Sequence, residues 1–128
     1  MMATNNNIQA EGTLKIIYLN ASHCYAATQN VLAIAAKGNY DILMLTEPYY
    51  PARASTIKVP GWEAICGTRS ALLVRGDIQH TPLLIGHPDI VATLTNNTVI
   101  TCIYTSPNEP MEPPLDALLT FLQTTNTT

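Results

Sequence analysis

Asn20 and Glu47 are polar residues that each end a short apolar segment, a position from which a side chain can bind a ligand. The segment IIYLN ends in Asn20, and the segment ILMLTE ends in Glu47, which Pro48 follows. If the two segments are neighbouring parallel strands, the carboxamide and the carboxylate lie side by side in the crevice at the carboxyl ends of the strands, where such sheets bind ligands. Because a proline disfavours helical backbone in the residue before it, we expect Glu47 to be extended at this rim.

Tyr104 ends a third apolar segment, ITCIY, and Pro107 and Asn108 indicate the turn that follows it. Each candidate residue also has a purely structural interpretation. A glutamate at a strand end is commonly only solvated, Asn20 is a residue type that forms turns, and a tyrosine at a strand end commonly packs with its hydroxyl in water. Residue type alone leaves both interpretations open.

The elements that would position Asn20 and Glu47 form a strand–helix–strand unit. Residues 14–20 and 41–47 are short and largely apolar, which predicts two strands. The residues between them predict a helix with Ser22 as its candidate cap and Gly38 as its stop. Such a unit joins parallel strands, and the near-continuous apolar composition predicts that both faces of the sheet are covered. The apolar positions of the helix recur at helical spacing at Ala27, Val31, Ile34 and Ala35.

The chain beyond this unit predicts antiparallel strands. Residues 62–76 indicate two short strands, whereas residues 81–88 are ambiguous. Residues 90–104 indicate two more strands joined at Asn96-Asn97, a pair that tolerates positive φ, so we expect a β-hairpin there.

A C-terminal helix completes the predicted elements. Pro113 and Pro114 suit its first turn, and its apolar stripe must cover the sheet or meet a partner. We therefore expect an α/β (α+β) fold with a mixed sheet, in which a βαβ unit precedes an antiparallel meander and this helix. The domain is expected to span 14–123, between a disordered N-terminus (1–13) and a frayed tail (124–128). The stripe consists of Leu115, Leu118, Leu119 and Leu122.

The composition excludes several classes of protein. With 47% hydrophobic and 12% charged residues, the chain is typical of one globular domain, and its net charge of −3 with scattered basic residues lacks the basic stripe of a free-standing nucleic-acid binder. Its three cysteines have no CxxC spacing, which indicates neither a zinc site nor a disulfide framework. Residues 1–13 are not a signal peptide, and no apolar run reaches the roughly 20 residues of a membrane span. We expect an intracellular protein, nuclear or cytoplasmic, that is not secreted.

Three collinear motifs carry a family resemblance. The segments YLNASHCYAATQNVL, DILMLTEPYY and ITCIYTSPN occur in this order, and PGWEAICGTRSALLVRG loosely fits a Gly-Trp loop and the strand after it. In order and spacing they resemble the endonuclease/exonuclease/phosphatase superfamily, and most closely the apurinic-type endonuclease domain of non-LTR retrotransposons, which is associated with a reverse transcriptase. The resemblance extends from Leu14 to Gln123.

The resemblance implies a role for each candidate residue. Glu47 matches the glutamate that binds a divalent ion, usually Mg²⁺, and Asn20 matches the asparagine that helps to fix that site. Tyr104 matches the tyrosine that hydrogen-bonds the scissile phosphate, and Asn108 lies in the accompanying turn on the substrate side. Magnesium takes few carboxylates together with phosphate oxygens and water, and it would neutralise the charge that develops on the phosphoryl group. The implied activity is the nicking of DNA.

The sequence departs from the family pattern after the C-terminal helix. A Gly-Asp-x-Asn segment, which positions the nucleophile, and a Ser-Asp-His segment do not occur in it. His87 precedes Asp89 in the wrong order to replace the second, and His23 is near Asn20, although a histidine at a helix start is commonly only solvated. Loss of a general base alone costs roughly 10²–10⁴-fold in rate, so we expect a truncated, inactive or nearly inactive endonuclease domain.

Three alternatives remain open at this stage. The family fold consists of two packed sheets, and we expect this chain to supply the first half without the second sheet. An uncovered apolar face would then favour self-association or binding of the missing half, which is the basis for a non-catalytic interaction module. A fragment of a superfamily phosphatase and an α/β domain without a site are the other two.

Overall fold

The structure is a computed structural model that describes residues 13–51, 54 and 56–126. Of the predicted N-terminal segment, only Thr13 is among the described residues. The last two residues of the predicted tail also lie outside them. Within the described part, the strands and helices follow one another in the order β1 (Ile16–Asn20), α1 (Tyr25–Lys37), β2 (Ile42–Thr46), β3 (Trp62–Cys66), β4 (Ser70–Arg75), β5 (Thr81–Leu83), β6 (Ile90–Thr95), β7 (Thr98–Ile103) and α2 (Glu112–Asn126).

The first sheet confirms the predicted βαβ unit. Its strand order is β1-β2-β4-β3, with β1 and β2 parallel and Asn20 level with Thr46 at their carboxyl ends. Strand β2 is buried on both faces, as expected, but β1 is an edge strand on which Ile16 and Tyr18 remain exposed. The prediction that both strands are covered on both faces is therefore correct for β2 and wrong for β1.

The predicted meander divides between two sheets. Strands β3 and β4 continue the first sheet antiparallel to β2, whereas β5, β6 and β7 form a separate antiparallel sheet. The expectation that the second sheet is missing is wrong, because three of its strands form. The turn between β6 and β7 is as predicted, with φ of 52° at Asn96 and 60° at Asn97.

Three apolar clusters bind the elements into four layers. Val31 and Ala35 of α1 pack on the outer face of the first sheet, and Ile42 and Leu72 of that sheet pack against Cys102 of the second sheet. A third cluster packs α2 on the other face of the second sheet. Because a fully buried Leu or Ile side chain contributes about 1.5–3 kcal/mol, these clusters are the main source of stability.

The helices begin and pack differently from the prediction. The residue that caps α1 is Cys24, which makes no side-chain bond there, and not the predicted Ser22, whose hydroxyl donates to Asn20 Oδ1. Gly38 ends the helix as predicted, with its N–H donated to Ile34 O. Ile34 itself faces solvent. In α2 the buried face is shifted by one position from the predicted leucine stripe, of which only Leu118 packs; it consists of Pro114, Ala117, Leu118 and Phe121.

Neither helix in the described residues is long and apolar enough to cross a membrane.

Candidate functional site

Glu47 and Tyr104 meet at one end of the sandwich, although they follow strands of different sheets. Glu47 comes directly after β2, Tyr104 comes directly after β7, and the Tyr104 hydroxyl donates a hydrogen bond to Glu47 Oε2 over 3.2 Å. The Cys102 thiol, which lies 3.4 Å from Leu45 O, links the same two strands in the core. Burial and then the hydrogen bond to Glu47 raise the pKa of Tyr104, so this phenol is protonated and a donor at neutral pH.

The backbone of Glu47 is left-handed, with φ of 48°, and the prediction of an extended rim residue is wrong. Its N–H donates to Arg69 O over 2.8 Å, and its own carbonyl accepts the N–H of His23 over 2.7 Å. Pro48 after it is buried. Proline excludes the right-handed helical region as expected, but these two hydrogen bonds select the left-handed region, which costs a residue with a side chain roughly 1–2 kcal/mol.

Asn20 lies at the same edge but turns its carboxamide towards its own loop. Its Oδ1 accepts the N–H of Ser22 over 3.0 Å and the Ser22 hydroxyl over 3.2 Å, which is a local turn of the kind that asparagine forms. The next residue, Ala21, donates its N–H to Thr46 O, so the loop is fastened to the end of β2. No hydrogen bond joins Asn20 to Glu47 or Tyr104 in the described part of the chain.

His23 is a rim residue that residue type alone did not favour. Its Nε2 lies 3.4 Å from Glu47 Oε2, the oxygen that also accepts the Tyr104 hydroxyl, and 57% of the His23 side chain is exposed. The position depends on two successive left-handed residues, Ser22 and His23, with φ of 51° and 57°. Proximity to Asn20 in the sequence was the only signal for it.

Arg69 is the residue that sequence reasoning missed entirely. Its Nε and Nη2 donate to the buried carboxylate of Asp89 over 3.1 and 2.7 Å, and its Nη2 also donates to Glu109 Oε1 over 2.7 Å. The guanidinium lies over the Tyr104 ring, 4.9 Å from its centroid. The hydrogen bonds to Asp89 and then to Glu109 raise the pKa of Arg69, and the Asp89 carbonyl accepts the Tyr104 N–H.

The remaining predicted residue, Asn108, lies in an exposed turn beyond Tyr104. Its N–H donates to Ser106 Oγ over 3.3 Å, which agrees with the predicted turn; its place on the substrate side stays a prediction. Between this turn and Asp89 is a cavity of about 280 Å³ that Tyr104 also lines. His87 lines it too, and its Nδ1 accepts the Asp89 N–H, so His87 holds the loop before β6.

The residues at the rim fit a cation site only of a particular kind. The described residues contain no group of three or more His, Cys, Asp or Glu side chains that could enclose a metal ion. Glu47 offers one carboxylate that is 24% exposed, and both of its contacts, to Tyr104 and His23, use Oε2. Mg²⁺ is commonly bound by one or two carboxylates, with water and substrate phosphates as its other ligands. The donor set fits a magnesium site completed by substrate, not a cage of protein ligands.

One comparison with solved structures shows what the fold is similar to. The fold resembles a structure described as the endonuclease domain of TRAS1, a telomere-specific non-LTR retrotransposon, with a TM-score of 0.72 and 19% sequence identity. The alignment covers 88% of this chain and 54% of that one, so the chain spans about half the length of that domain. No protein-family model matches the sequence, and neither does any curated protein. The resemblance predicted from the collinear motifs is therefore confirmed as a shared fold.

Proposed function

We propose that the rim formed by Glu47 and Tyr104 is the cation-binding and phosphate-binding part of a metal-dependent phosphodiesterase site that acts on DNA. The observation that carries this proposal is the 3.2 Å hydrogen bond between the Tyr104 hydroxyl and Glu47 Oε2, which joins the ends of strands from both sheets. The likeness to an endonuclease domain supports the choice of reaction and of DNA as the substrate.

We assign each rim residue a role that its contacts and the family resemblance support. Glu47 would bind Mg²⁺, which when bound neutralises negative charge on the phosphoryl oxygens. The Tyr104 phenol, kept protonated by its raised pKa, is a hydrogen-bond donor for a phosphate oxygen at the same rim. Asn20 would shape the loop that carries His23, because its carboxamide bonds to Ser22. The start of α1 follows this loop, and the positive end of a helix dipole favours a phosphate nearby.

These residues would bind the cation and the phosphate, but they are only part of the groups that catalysis requires. The Gly-Asp-x-Asn and Ser-Asp-His segments that would position the nucleophile and handle the proton are absent from residues 1–128. We therefore propose that this chain binds the cation and a phosphodiester and cleaves DNA weakly or not at all by itself.

Paramagnetic Mn²⁺ tests the cation site directly. We expect Mn²⁺ to broaden the amide NMR signals of residues 20–23, 46, 47 and 49, and E47Q to abolish this broadening. E63Q is the matched control, since Glu63 is an exposed carboxylate on β3. Equal broadening in the wild type and E47Q would overturn the proposal. Mg²⁺-dependent nicking of supercoiled plasmid, compared with E47A, measures turnover; equal traces in both proteins indicate a contaminating nuclease.

Exposed apolar surface favours a second candidate, a non-catalytic interaction module. Ile16 and Tyr18 are exposed on β1, and α2 exposes Leu115, Leu119 and Leu122. Size-exclusion chromatography of the purified chain distinguishes this function: self-association that Ile16→Ser reduces would support it, and a monomer at all concentrations would contradict it.

A further inference from the structure

We propose that a groove beside the Glu47 rim binds a nucleobase that neighbours the bound phosphate. This inference rests on the proposed function and deepens it, because it names the part of the DNA that the site recognises. The groove lies between α1 and the segment that follows β2, and we call it the tyrosine groove. It has a volume of about 410 Å³ and is lined by residues that include Tyr25, Gln29, Leu32, Tyr49, Lys58 and Pro60.

Two tyrosines give the groove an aromatic wall. The rings of Tyr25 and Tyr49 are 5.2 Å apart at an interplanar angle of 84°, so they meet edge to face. In this arrangement the two ring faces point in different directions, and Tyr25 is 59% exposed. An exposed ring face is the surface on which single-stranded nucleic acids stack their bases, whatever the sequence.

The chain itself places the aromatic wall next to the phosphate-binding rim. Tyr49 follows Glu47 by two residues, and Tyr25 follows His23 by two residues. Two residues span at most about 7 Å, so the backbone of Tyr49 lies that close to the backbone of Glu47. The Tyr49 N–H donates to Thr28 Oγ1 over 3.2 Å, which fixes Tyr49 against the first turn of α1. A base in the groove and a phosphate at the rim can thus belong to neighbouring nucleotides.

The other lining residues suit the chemistry of a nucleotide. The volume falls in the range of about 300–1,000 Å³ typical of small-molecule sites, and the walls are mainly apolar with a few polar groups. Gln29 carries both a donor and an acceptor for a base edge. Lys58 is exposed and makes no ion pair with any residue that the structure describes, so its charge is available to a phosphate. In a chain of net charge −3, this is a local positive group beside the aromatic wall.

The test uses the full chain and a short single-stranded oligonucleotide with one 2-aminopurine, whose fluorescence falls when it stacks. We expect quenching with the wild type, and a loss of affinity of about tenfold or more in Y25A and Y49A, as for removal of one stacked base. Y25F and Y49F should keep the affinity, since they keep the ring. Y18A is the matched control, because Tyr18 is an exposed tyrosine on β1.

Three outcomes would overturn the proposal that the tyrosine groove binds a nucleobase. The first is equal affinity for an oligonucleotide that is abasic at the probe position, and the second is unchanged affinity in Y25A and Y49A when both variants give folded amide spectra. The third is perturbation of the Tyr25 and Tyr49 signals by a proline-rich peptide, another ligand of aromatic grooves, and not by the oligonucleotide. Failure of the proposed cation site is separate: Mn²⁺ broadening would then be unchanged in E47Q, whereas quenching in the groove does not require the cation.

Discussion

The guanidinium of Arg69 lies 4.9 Å from the centroid of the Tyr104 ring and holds it from one side. The backbone carbonyl of the same arginine accepts the N–H of Glu47, and its side chain binds Asp89, whose carbonyl accepts the N–H of Tyr104. One residue therefore contacts or indirectly fixes both partners of the rim hydrogen bond. Arg69 is thus a positioning residue for the proposed site, and it lines the neighbouring cavity together with Tyr104.

Removing the Arg69 side chain should weaken both the fold and the rim. In R69Q the buried carboxylate of Asp89 loses its bidentate partner, and a buried charge left without a partner is strongly destabilising. We expect a lower midpoint of urea unfolding than in K37Q, which removes an exposed cation from the last turn of α1. R69K should rescue little, because an ammonium cannot form the bidentate pair or stack as a plane. An R69Q midpoint equal to that of K37Q would contradict the role.

The left-handed backbone of Glu47 costs the fold stability, and a glycine at this position should recover part of it. Glycine adopts φ of 48° without the strain of about 1–2 kcal/mol, but it loses about 0.5–1 kcal/mol more backbone entropy on folding than alanine. E47G should therefore be more stable than E47A by about 0.5–1 kcal/mol, while both lose the carboxylate and Mn²⁺ broadening. Urea unfolding of the two variants measures the difference. Equal stability would mean that the backbone relaxes on substitution.

The core predicts a large difference between two leucines. Leu73 of β4 is fully buried in the cluster that packs α1 on the first sheet, so L73A should lower the free energy of unfolding by about 2–5 kcal/mol. Leu84 is 92% exposed, and L84A should change it by less than about 0.5 kcal/mol. Urea titrations of both variants at one temperature check this. A loss in L73A as small as that in L84A would contradict the predicted contribution of Leu73.

Stability should fall in alkaline solution because of the buried Cys102 and the half-buried Tyr50. Burial raises the pKa of the Cys102 thiol to about 11 from an ordinary 9.0, and burial also raises the pKa of Tyr50. Between pH 9 and 11 the unfolded chain releases a proton from Cys102 that the native chain keeps, so the free energy of unfolding decreases with rising pH. Below pH 9 this contribution is fully present.

Unfolding by urea at pH 8 and pH 10.5 measures that decrease, with C102A as the comparison. We expect C102A to show a smaller decrease than the wild type, and a residual one from Tyr50 and Tyr104, whose pKa values are also raised. An identical decrease in both proteins would show that Cys102 does not cause it.

The sequence predicts those parts of the fold that are determined by residues close to one another in the chain. Strands β1 and β2, the stop at Gly38 and the positive φ at Asn96 and Asn97 follow from neighbouring residues. The buried face of α2 does not, because its sequence is apolar at two overlapping sets of helical positions. Only the position of the second sheet decides between them.

The candidate site divides in the same way. The strand ends predicted Glu47 at this rim, and the family resemblance added Tyr104 to it; the two side chains do meet there. Asn20 was placed at the correct edge, but the orientation of its carboxamide depends on Ser22 in the following turn. The Arg69 network joins residues that are 20 and 40 positions apart, and no periodicity relates them.

The peptide groups on the two sides of Glu47 bond to different loops, one to His23 and the other to Arg69. The loop before α1 and the turn before β4 are therefore mechanically linked through a single residue. We expect a substitution that moves the backbone of either loop to displace the carboxylate without contacting it. Loss of cation binding in such variants would report transmitted backbone movement, and a library of loop substitutions would map how far that movement reaches.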